Sequence, residues 1–377
     1  MRLAYVTNLP APYRVAFLNE LGRLCDLTVF YERHTASDRD AKWRGDKAET
    51  YREIYCNDRA LGTDRSLGFD LMRRIRAEQF DRLLISGYSS PAVMALILDC
   101  QRRGVPYYMQ YDGGFDMRSS IKDLLKRKLL RPAAGHFTSS SAHATYLRSL
   151  GIAPELIWKY PFTSLTEEDI LPEPVSDVQR AELRRTLGVK EEHIVLSVGQ
   201  FIPRKGFDIL LQSAQILRDQ HIGFYLVGGA ATSEYRSFCD GNNLCSVHFV
   251  GFQSKQQLKA WYQAADIFCL PTRYDIWGLV VNEALANALP VVTTTACCAG
   301  LELVHDGVNG MLVPPEDSGA LTEAICALLS GDSAKLRRRA LESVCSCTAA
   351  TMARKHAAHL LPDYCQKEAH KRVACND

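Results

Sequence analysis

The strongest constraint on the fold is a regular alternation of short apolar runs with longer segments of helical spacing. In the first half, the apolar runs are also rich in β-branched and aromatic residues, which strands prefer. Strands separated by helices predict βαβ units and a parallel sheet, so the predicted fold class is α/β. The predicted strands of this half are 3–7, 27–31, 82–86 and 106–110, with helices at 15–24 and 91–102.

The same alternation starts afresh in the second half. Pro172 and Pro174 interrupt it, because proline continues neither a helix nor a central strand. A length of 377 residues suits two domains, and we predict doubly wound domains at 1–172 and 177–350. The predicted elements of the second are a helix at 178–187, strands 193–198, 223–228, 247–250, 266–271 and 290–294, and helices 207–219, 254–264 and 278–288.

Composition excludes several classes of protein. The formal net charge is +2, whereas nucleic-acid binding usually requires a strong basic excess, so no nucleic-acid partner is expected. The apolar run at the start of the chain is too short for a signal peptide, and no stretch approaches the ~20 apolar residues that span a bilayer. We therefore expect a cytoplasmic protein whose 13 cysteines are mostly reduced.

Unusual residues of the second half cluster after the predicted strands, where open α/β sheets bind their ligands. The segment GQFIPRKG, residues 199–206, places Arg204 and Lys205 just before a helix. Two cations there oppose the helix dipole unless an anion lies between them and the helix. The segment is therefore either a phosphate site or a solvated basic turn.

A second such loop, residues 274–283, carries two carboxylates. Asp275 lies in the loop, and Glu283 lies within an otherwise apolar helix. Carboxylates accept hydrogen bonds from the vicinal hydroxyls of a sugar, and the amides of Gly278 and Leu279 at the helix start suit a phosphate. The alternative is that Glu283 is an exposed helix residue and Asp275 an N-cap.

Residues 275–292, DIWGLVVNEALANALPVV, resemble the signature of the retaining GT-B glycosyltransferases of family 4, in which two acidic residues are separated by seven others. GQFIPRKGFDILL resembles the strand–loop–helix of that family. The remaining landmarks follow in the right order. They are FYLVGG, VHFVGF, ADIFCLPTRYD and ELVHDGVNGMLVPPED, and more weakly NLPAPYR, the Glu32–Arg33 region and Asp112-Gly113-Gly114.

The resemblance implies a GT-B fold, with two Rossmann-like domains facing across a cleft. The first domain would bind the acceptor and the second the nucleotide-sugar, while a helix in 351–377 would cross back to the first. It also implies retaining, metal-independent glycosyl transfer, in polysaccharide or glycoconjugate biosynthesis. The donor expected is a UDP-sugar, which is a substrate, so no cofactor is expected. The acceptor would be a glycan, a lipid-linked sugar or a small molecule.

Individual roles follow from the same resemblance. Glu283 would hold the donor ribose, Asp275 would lie beside the transferred sugar, and Lys205 would contact the diphosphate. Amides around Trp277, Gly278 and Leu279 would hold sugar and phosphate. The Phe252 segment would meet the nucleobase, and Gly228 belongs to the same strand-end group.

The chain departs from the family pattern in three places. Asp275 replaces the usual Glu, which shortens the arm by one methylene. Gln200 stands where the family usually has a phosphate-binding Arg, and Arg204 is a candidate to supply that charge. The first loop, residues 8–14, has prolines where many members have paired glycines, which bears on close backbone approach.

Two features of the first half complete the candidates. Asp112 falls where the family often has a histidine near the donor sugar, so it is a candidate catalytic residue, although Asp-Gly is also a common turn. The segment from Lys122 to Arg131 interleaves basic residues with leucines. It predicts a basic amphipathic helix that docks on an anionic membrane or holds a pyrophosphate-linked lipid acceptor. The alternative is a surface helix that buries its leucines on its own sheet.

Two other functions keep the same fold. A catalytically silent subunit would explain the altered Asp275 and Gln200, and measurable turnover of a nucleotide-sugar would exclude it. An epimerase would act on the nucleotide-sugar itself, and transfer to a separate acceptor would exclude it.

Overall fold

The computed structural model describes residues 1–33, 47–61, 65–115, 120–362 and 364. Within them the chain forms two compact units, Met1–Thr166 with Cys347–Asp377, and Glu167–Ser346. The first is called unit 1 and the second unit 2. The predicted tail beyond residue 364 lies outside the described residues.

Unit 1 is built on a parallel sheet whose described strands run in the order β3-β2-β1-β6-β7-β8-β9. The strands are β1 (Arg2–Thr7), β2 (Asp26–Tyr31), β3 (Arg52–Tyr55), β6 (Arg82–Ser86), β7 (Tyr107–Tyr111), β8 (Gly135–Thr138) and β9 (Ile157–Lys159), and β4 (Arg59–Leu61) pairs antiparallel with β5 (Arg65–Leu67). The helices are α1 (Pro12–Gly22), α2 (Asp70–Ala77), α3 (Pro91–Arg103), α4 (Ser120–Leu130) and α5 (Ser141–Ser149).

Unit 2 has a second parallel sheet, with its described strands in the order β12-β11-β10-β13-β14-β15. These are β10 (His193–Val198), β11 (Ile222–Val227), β12 (Val247–Val250), β13 (Ile267–Leu270), β14 (Val291–Thr294) and β15 (Gly310–Val313). Its helices are α6 (Asp177–Leu187), α7 (Phe207–Ile216), α8 (Ser233–Gly241), α9 (Lys255–Ala264), α10 (Leu279–Ala286), α11 (Cys298–Leu303), α12 (Ser318–Leu329) and α13 (Ser333–Val344).

The last described helix, α14 (Ala349–Leu360), belongs to unit 1, where it packs on α1. His356 of α14 is fully buried and stacks on Phe137 of β8, with ring centroids 4.2 Å apart. The Ala349 amide donates to the carbonyl of Leu165 at 2.8 Å. The chain therefore returns to unit 1 after Ser346, close to the predicted 350.

The other boundary lies at Thr166–Glu167, against a predicted 172. The Leu171 amide donates to the carbonyl of Ala286 at 3.0 Å, and Lys255 forms an ion pair with Asp169 at 2.7 Å. Both contacts lie within unit 2. They attach the segment before the two prolines to unit 2, which a break in the strand–helix pattern does not reveal.

Candidate functional site

The order of strands places the candidate residues of unit 2 at one point. β10 pairs with β11 on one side and with β13 on the other, so the direction of winding reverses between β10 and β13. Parallel α/β sheets bind ligands beyond the carboxyl ends of the strands at such a switch point. The loop after β10 carries Lys205, and the loop after β13 carries Asp275.

Lys205 and Asp275 are joined directly. Lys205 Nζ donates to Asp275 Oδ2 at 2.5 Å, and each side chain is 12% exposed. Arg204 Nη1 lies 3.4 Å from Asp275 Oδ1 and donates to the Tyr274 carbonyl at 2.8 Å. An ammonium group has three donors, so the bond to Asp275 leaves Lys205 with donors for phosphate oxygens.

Two glycines let these loops pack closely against neighbouring segments. Gly206 has φ +68°, and a Cβ there would lie 2.0 Å from the Pro271 carbonyl oxygen. Gly278 has φ +98°, and a Cβ there would lie 2.8 Å from Cys297 Sγ. Both positions combine left-handed backbone with a close contact, so any other residue would displace the Lys205 or Asp275 loop.

Helix α10 begins at this edge of the sheet. Gly278 is the N-cap and Leu279 the first helical residue, so the alternative interpretation of Asp275 as the N-cap is wrong. The first amides of a helix have no partner within the helix and suit an anion. Trp277 is 5% exposed and its Nε1 donates to Asn282 Oδ1 at 2.8 Å, which fixes the start of the helix.

Glu283 lies one turn into α10 and is half-buried rather than exposed. The Tyr262 hydroxyl of α9 donates to Glu283 Oε2 at 3.1 Å. Burial and the Glu283 charge hold the pKa of Tyr262 well above its ordinary value, so the hydroxyl keeps its proton and remains a donor. This bond orients the Glu283 carboxylate.

The remaining donor-site candidates follow neighbouring strands at the same edge. Gln200 follows β10 and its side chain is exposed, Gly228 follows β11, and Phe252 follows β12 with 57% of its surface exposed. The structure thus places these residues by topology. Their contacts with a ligand stay predictions.

Sequence reasoning missed two supports of the Asp275 loop. Arg273 Nη2 forms an ion pair with Asp208 at 2.6 Å, and its Nε forms another with Glu316 at 2.8 Å. The Asp275 amide donates to the Ala296 carbonyl at 2.9 Å. A cation two residues before Asp275 was a visible signal for the first support, whereas nothing in the sequence marks residue 296.

Unit 1 places Asp112 directly after β7, beside Arg14 of α1. The two side chains form an ion pair, and Arg14 is only 3% exposed. Arg14 Nη1 also donates to the Tyr5 hydroxyl at 2.8 Å. Burial opposes the charge of Arg14, but Asp112 holds its pKa well above the ordinary value. Asp112 therefore sits in a fixed ion pair rather than in a plain turn, while its catalytic role stays a prediction.

The basic segment that ends at Arg131 forms α4. Leu129 and Leu130 are buried, whereas Leu124 is 75% exposed and Leu125 49% exposed. The side chain of Lys122 lies outside the described part of the chain. The helix packs two leucines on unit 1, as a surface helix would, and presents two to solvent. Its contact with a membrane stays a prediction.

Comparison with known proteins shows which family the region around these loops resembles. Residues 192–331 match the family model of the glycosyl transferases group 1. A D-inositol 3-phosphate glycosyltransferase of Mycobacterium sp. (strain KMS) is 37% identical over 172 residues, which cover 43% of this chain and 38% of that relative. The chain thus matches about two fifths of the length of this curated relative.

Solved structures extend the likeness to both units. A glycosyltransferase from Rickettsia africae ESF-5 superposes with a TM-score of 0.76 at 15% identity, covering 96% of this chain and 99% of that one. Anabaena HepE in complex with UDP and glucose superposes with a TM-score of 0.72 at 19% identity, covering 96% and 100%.

These likenesses show that the two Rossmann-like units form a GT-B fold. Residues 192–331, which hold the switch-point loops, are the part of the chain that matches the glycosyl transferases group 1.

Proposed function

We propose that the protein transfers a sugar from a UDP-sugar to a separate acceptor. The observation that carries this proposal is the Lys205–Asp275 pair at the switch point of unit 2, next to the N-terminus of α10. A pair of this kind offers ammonium donors for a diphosphate beside a carboxylate for sugar hydroxyls. The HepE complex, which holds UDP and glucose, supports UDP as the nucleotide.

In the proposed donor complex, Lys205 and the first amides of α10 hold the diphosphate, with Arg204 and Gln200 at its margin. Glu283 accepts from the ribose hydroxyls, and exposed Phe252 and the Gly228 turn meet the base. Asp275 accepts from the transferred sugar. Charge on the leaving diphosphate is stabilised by fixed donors, so we propose that neither a metal nor a separate cofactor is required.

We further propose that transfer retains the anomeric configuration without a covalent sugar–enzyme intermediate. Asp275 is bound to Lys205, while Glu283 is bound to Tyr262 from another helix. Two carboxylates held by separate partners do not resemble the acid pair that flanks the scissile bond in glycosidases. The departing phosphate would accept the proton of the acceptor hydroxyl on the same face.

The experiment that tests the proposal has two stages. A thermal-shift panel of UDP-, GDP- and ADP-sugars should show stabilisation by UDP-sugars, because a ligand that binds only the folded state raises its stability. Proton NMR of the product should then show a new glycoside on a separate acceptor with the donor's anomeric configuration. Stabilisation by GDP-mannose alone would overturn the choice of nucleotide, and an inverted anomer would overturn the mechanism.

Donor affinity should depend on Lys205 and Glu283. Lys205→Ala and Glu283→Ala should each weaken UDP binding by about 1.5–3 kcal/mol, as expected for a charged hydrogen bond. Calorimetry with UDP measures both. Lys259→Ala, a lysine elsewhere in unit 2, is the matched control and should bind UDP like the unaltered protein. Unchanged affinity in both site variants would rule out this assignment.

We also propose that α4 lets the protein contact an anionic membrane peripherally from the cytoplasm. Leu124 and Leu125 are exposed beside Arg127, Lys128 and Arg131, which are also exposed. Apolar side chains flanked by cations suit the surface of an anionic bilayer. In the described part of the chain no helix is long and apolar enough to cross a membrane.

Sedimentation with vesicles tests this contact. Association should be weak and lost at high salt, because each Lys or Arg near the surface contributes about 1 kcal/mol. Replacing both Leu124 and Leu125 with Asp should abolish it, whereas Leu98→Asp, at an exposed leucine of α3, should not. Equal recovery in the supernatant with neutral and anionic vesicles at low salt would contradict the proposal.

A further inference from the structure

Unit 1 contains a polar pocket whose lining includes the catalytic candidate Asp112 but none of the donor-binding candidates of unit 2. Its volume is about 240 Å³. It opens where the winding of this sheet reverses, since β1 pairs with β2 on one side and β6 on the other. Its lining includes Arg14, Glu32, Ser89, Ser90 and Asp112, which lie beyond the carboxyl ends of β1, β2, β6 and β7.

A buried carboxyl group forms one wall of this pocket. Glu32 follows β2 and is 5% exposed. Its Oε2 accepts from the Ser90 hydroxyl at 2.5 Å and from the Ser66 hydroxyl. Burial raises the pKa of Glu32, and the two serine bonds oppose that rise. Ser66 and Ser90 thereby fix the carboxyl group at the pocket wall.

The cation of the pocket is already neutralised. Arg14 is the basic residue among the described lining residues, and it forms its ion pair with Asp112. Counting Arg14 and Asp112 as a neutral pair leaves the lining with the acid group of Glu32. This is the reverse of unit 2, where Arg204 and Lys205 supply two cations to one carboxylate.

We infer that this pocket binds one uncharged, hydroxyl-rich ring of the acceptor and selects against a phosphorylated one. The inference rests on the proposed function, whose acceptor class it narrows. Hydroxyl groups donate to the carboxyl oxygens of Glu32 and Asp112, while a phosphate beside a buried acid group meets like charge. A volume of about 240 Å³ lies below the about 300–1,000 Å³ of drug-sized sites, which suits a single monosaccharide ring.

Binding of matched sugar pairs tests the inference. The probes are D-glucose, D-mannose and N-acetyl-D-glucosamine, each with its 6-phosphate, in saturation-transfer NMR with saturating UDP. At least one uncharged sugar should bind about tenfold more tightly than its phosphate, a modest like-charge penalty. Ser89→Trp, at an exposed lining residue, should abolish this binding, whereas Ser89→Ala should preserve it.

A second variant tests the charge itself. Glu32→Gln removes the acid group but keeps an acceptor oxygen for the serine hydroxyls, so the preference for the uncharged sugar should fall to about threefold or less. Phosphates that bind as tightly as the uncharged sugars in the unaltered protein would overturn the inference. Sugar binding that survives Ser89→Trp, or no binding by any probe, would overturn it too. Calorimetric UDP binding in the same samples tests the proposed function separately, because the donor residues lie in unit 2.

Discussion

Replacing Asp275 with Asn should lower kcat with a UDP-sugar by about 10²-fold or more, comparable to the loss of one preorganised charge-stabilising group. Asp275 Oδ2 accepts from Lys205 Nζ at 2.5 Å, and each of the two side chains is only 12% exposed. The amide of the Asp275→Asn variant keeps the shape of the carboxylate but loses its charge. That charge holds Lys205 and strengthens the hydrogen bonds that the carboxylate accepts from the sugar. UDP affinity should change by about threefold or less, because Lys205 retains its charge for the diphosphate.

Two further variants separate this role from a structural one. Asp275→Glu restores the charge on a side chain that is one methylene longer, and Glu is the family's usual residue at this position. This variant should keep kcat within about tenfold of the unaltered protein. Asp240→Asn, at an exposed carboxylate of α8, should leave both kcat and UDP affinity unchanged. Full turnover by Asp275→Asn would disprove the role, and a sugar found covalently attached to Asp275 by mass spectrometry would replace it with a nucleophilic one.

The strands that the sequence predicted agree with the structure to within two residues, whereas β3, β8, β9 and β15 were not predicted. β6, β10 and β12 have the predicted bounds, since buried strands are short apolar runs whose ends are marked by polar residues. Helix ends were less certain. α7 ends at Ile216 rather than 219, where the Leu217 carbonyl accepts from the Gln220 amide in a turn. α1 begins at Pro12 rather than 15, with proline in its first turn.

The donor-site residues were found one by one, but their pairing was not. Lys205 and Asp275 are 70 residues apart, and their contact depends on β10 and β13 being neighbours in the sheet. Strand order is a property of the whole fold, so a pattern read along the chain does not contain it.

The pocket of unit 1 was not predicted. Arg14 ends the NLPAPYR segment and Glu32 lies in another weak landmark of the family, but neither landmark indicates that the two residues line one pocket. Their partners, Asp112 and the two serines, come from distant elements. Only the fold reveals that they neutralise or fix one another.

Unit 1 should lose stability in mild acid before unit 2 does. Burial lowers the pKa of His136 and His143 from 6.5 to about 4 and that of His356 to about 3. His136 and His356 are fully buried, and His143 is 7% exposed. All three lie in unit 1, on β8, α5 and α14. The folded unit therefore keeps these imidazoles neutral at a pH where the unfolded chain binds protons.

The direction in which stability changes with pH follows from this difference in proton binding. Below pH 6.5 the unfolded state gains protons that the folded state does not accept until about pH 4, so the free energy of unfolding falls across that window. At about pH 5 the loss should be about 2 kcal/mol for each histidine, of the order of several kcal/mol for the three. Above pH 7 the contribution should be constant. This loss is large compared with the free energy of unfolding of a typical domain, which is about 5–15 kcal/mol.

Hydrogen exchange at a series of pH values, corrected for the intrinsic exchange rate, resolves the two units in one sample. Protection of β8 and α14 should fall between pH 7 and 5, whereas protection of β10 and β13 in unit 2 should fall less. His356→Leu should flatten the pH dependence of unit 1, because leucine gains no proton in the unfolded state, even if it lowers stability at pH 7. His305→Leu, at an exposed histidine of unit 2, should leave that dependence unchanged. Equal loss of protection in both units, or the same slope in His356→Leu as in the unaltered protein, would show that these buried imidazoles do not set the acid limit.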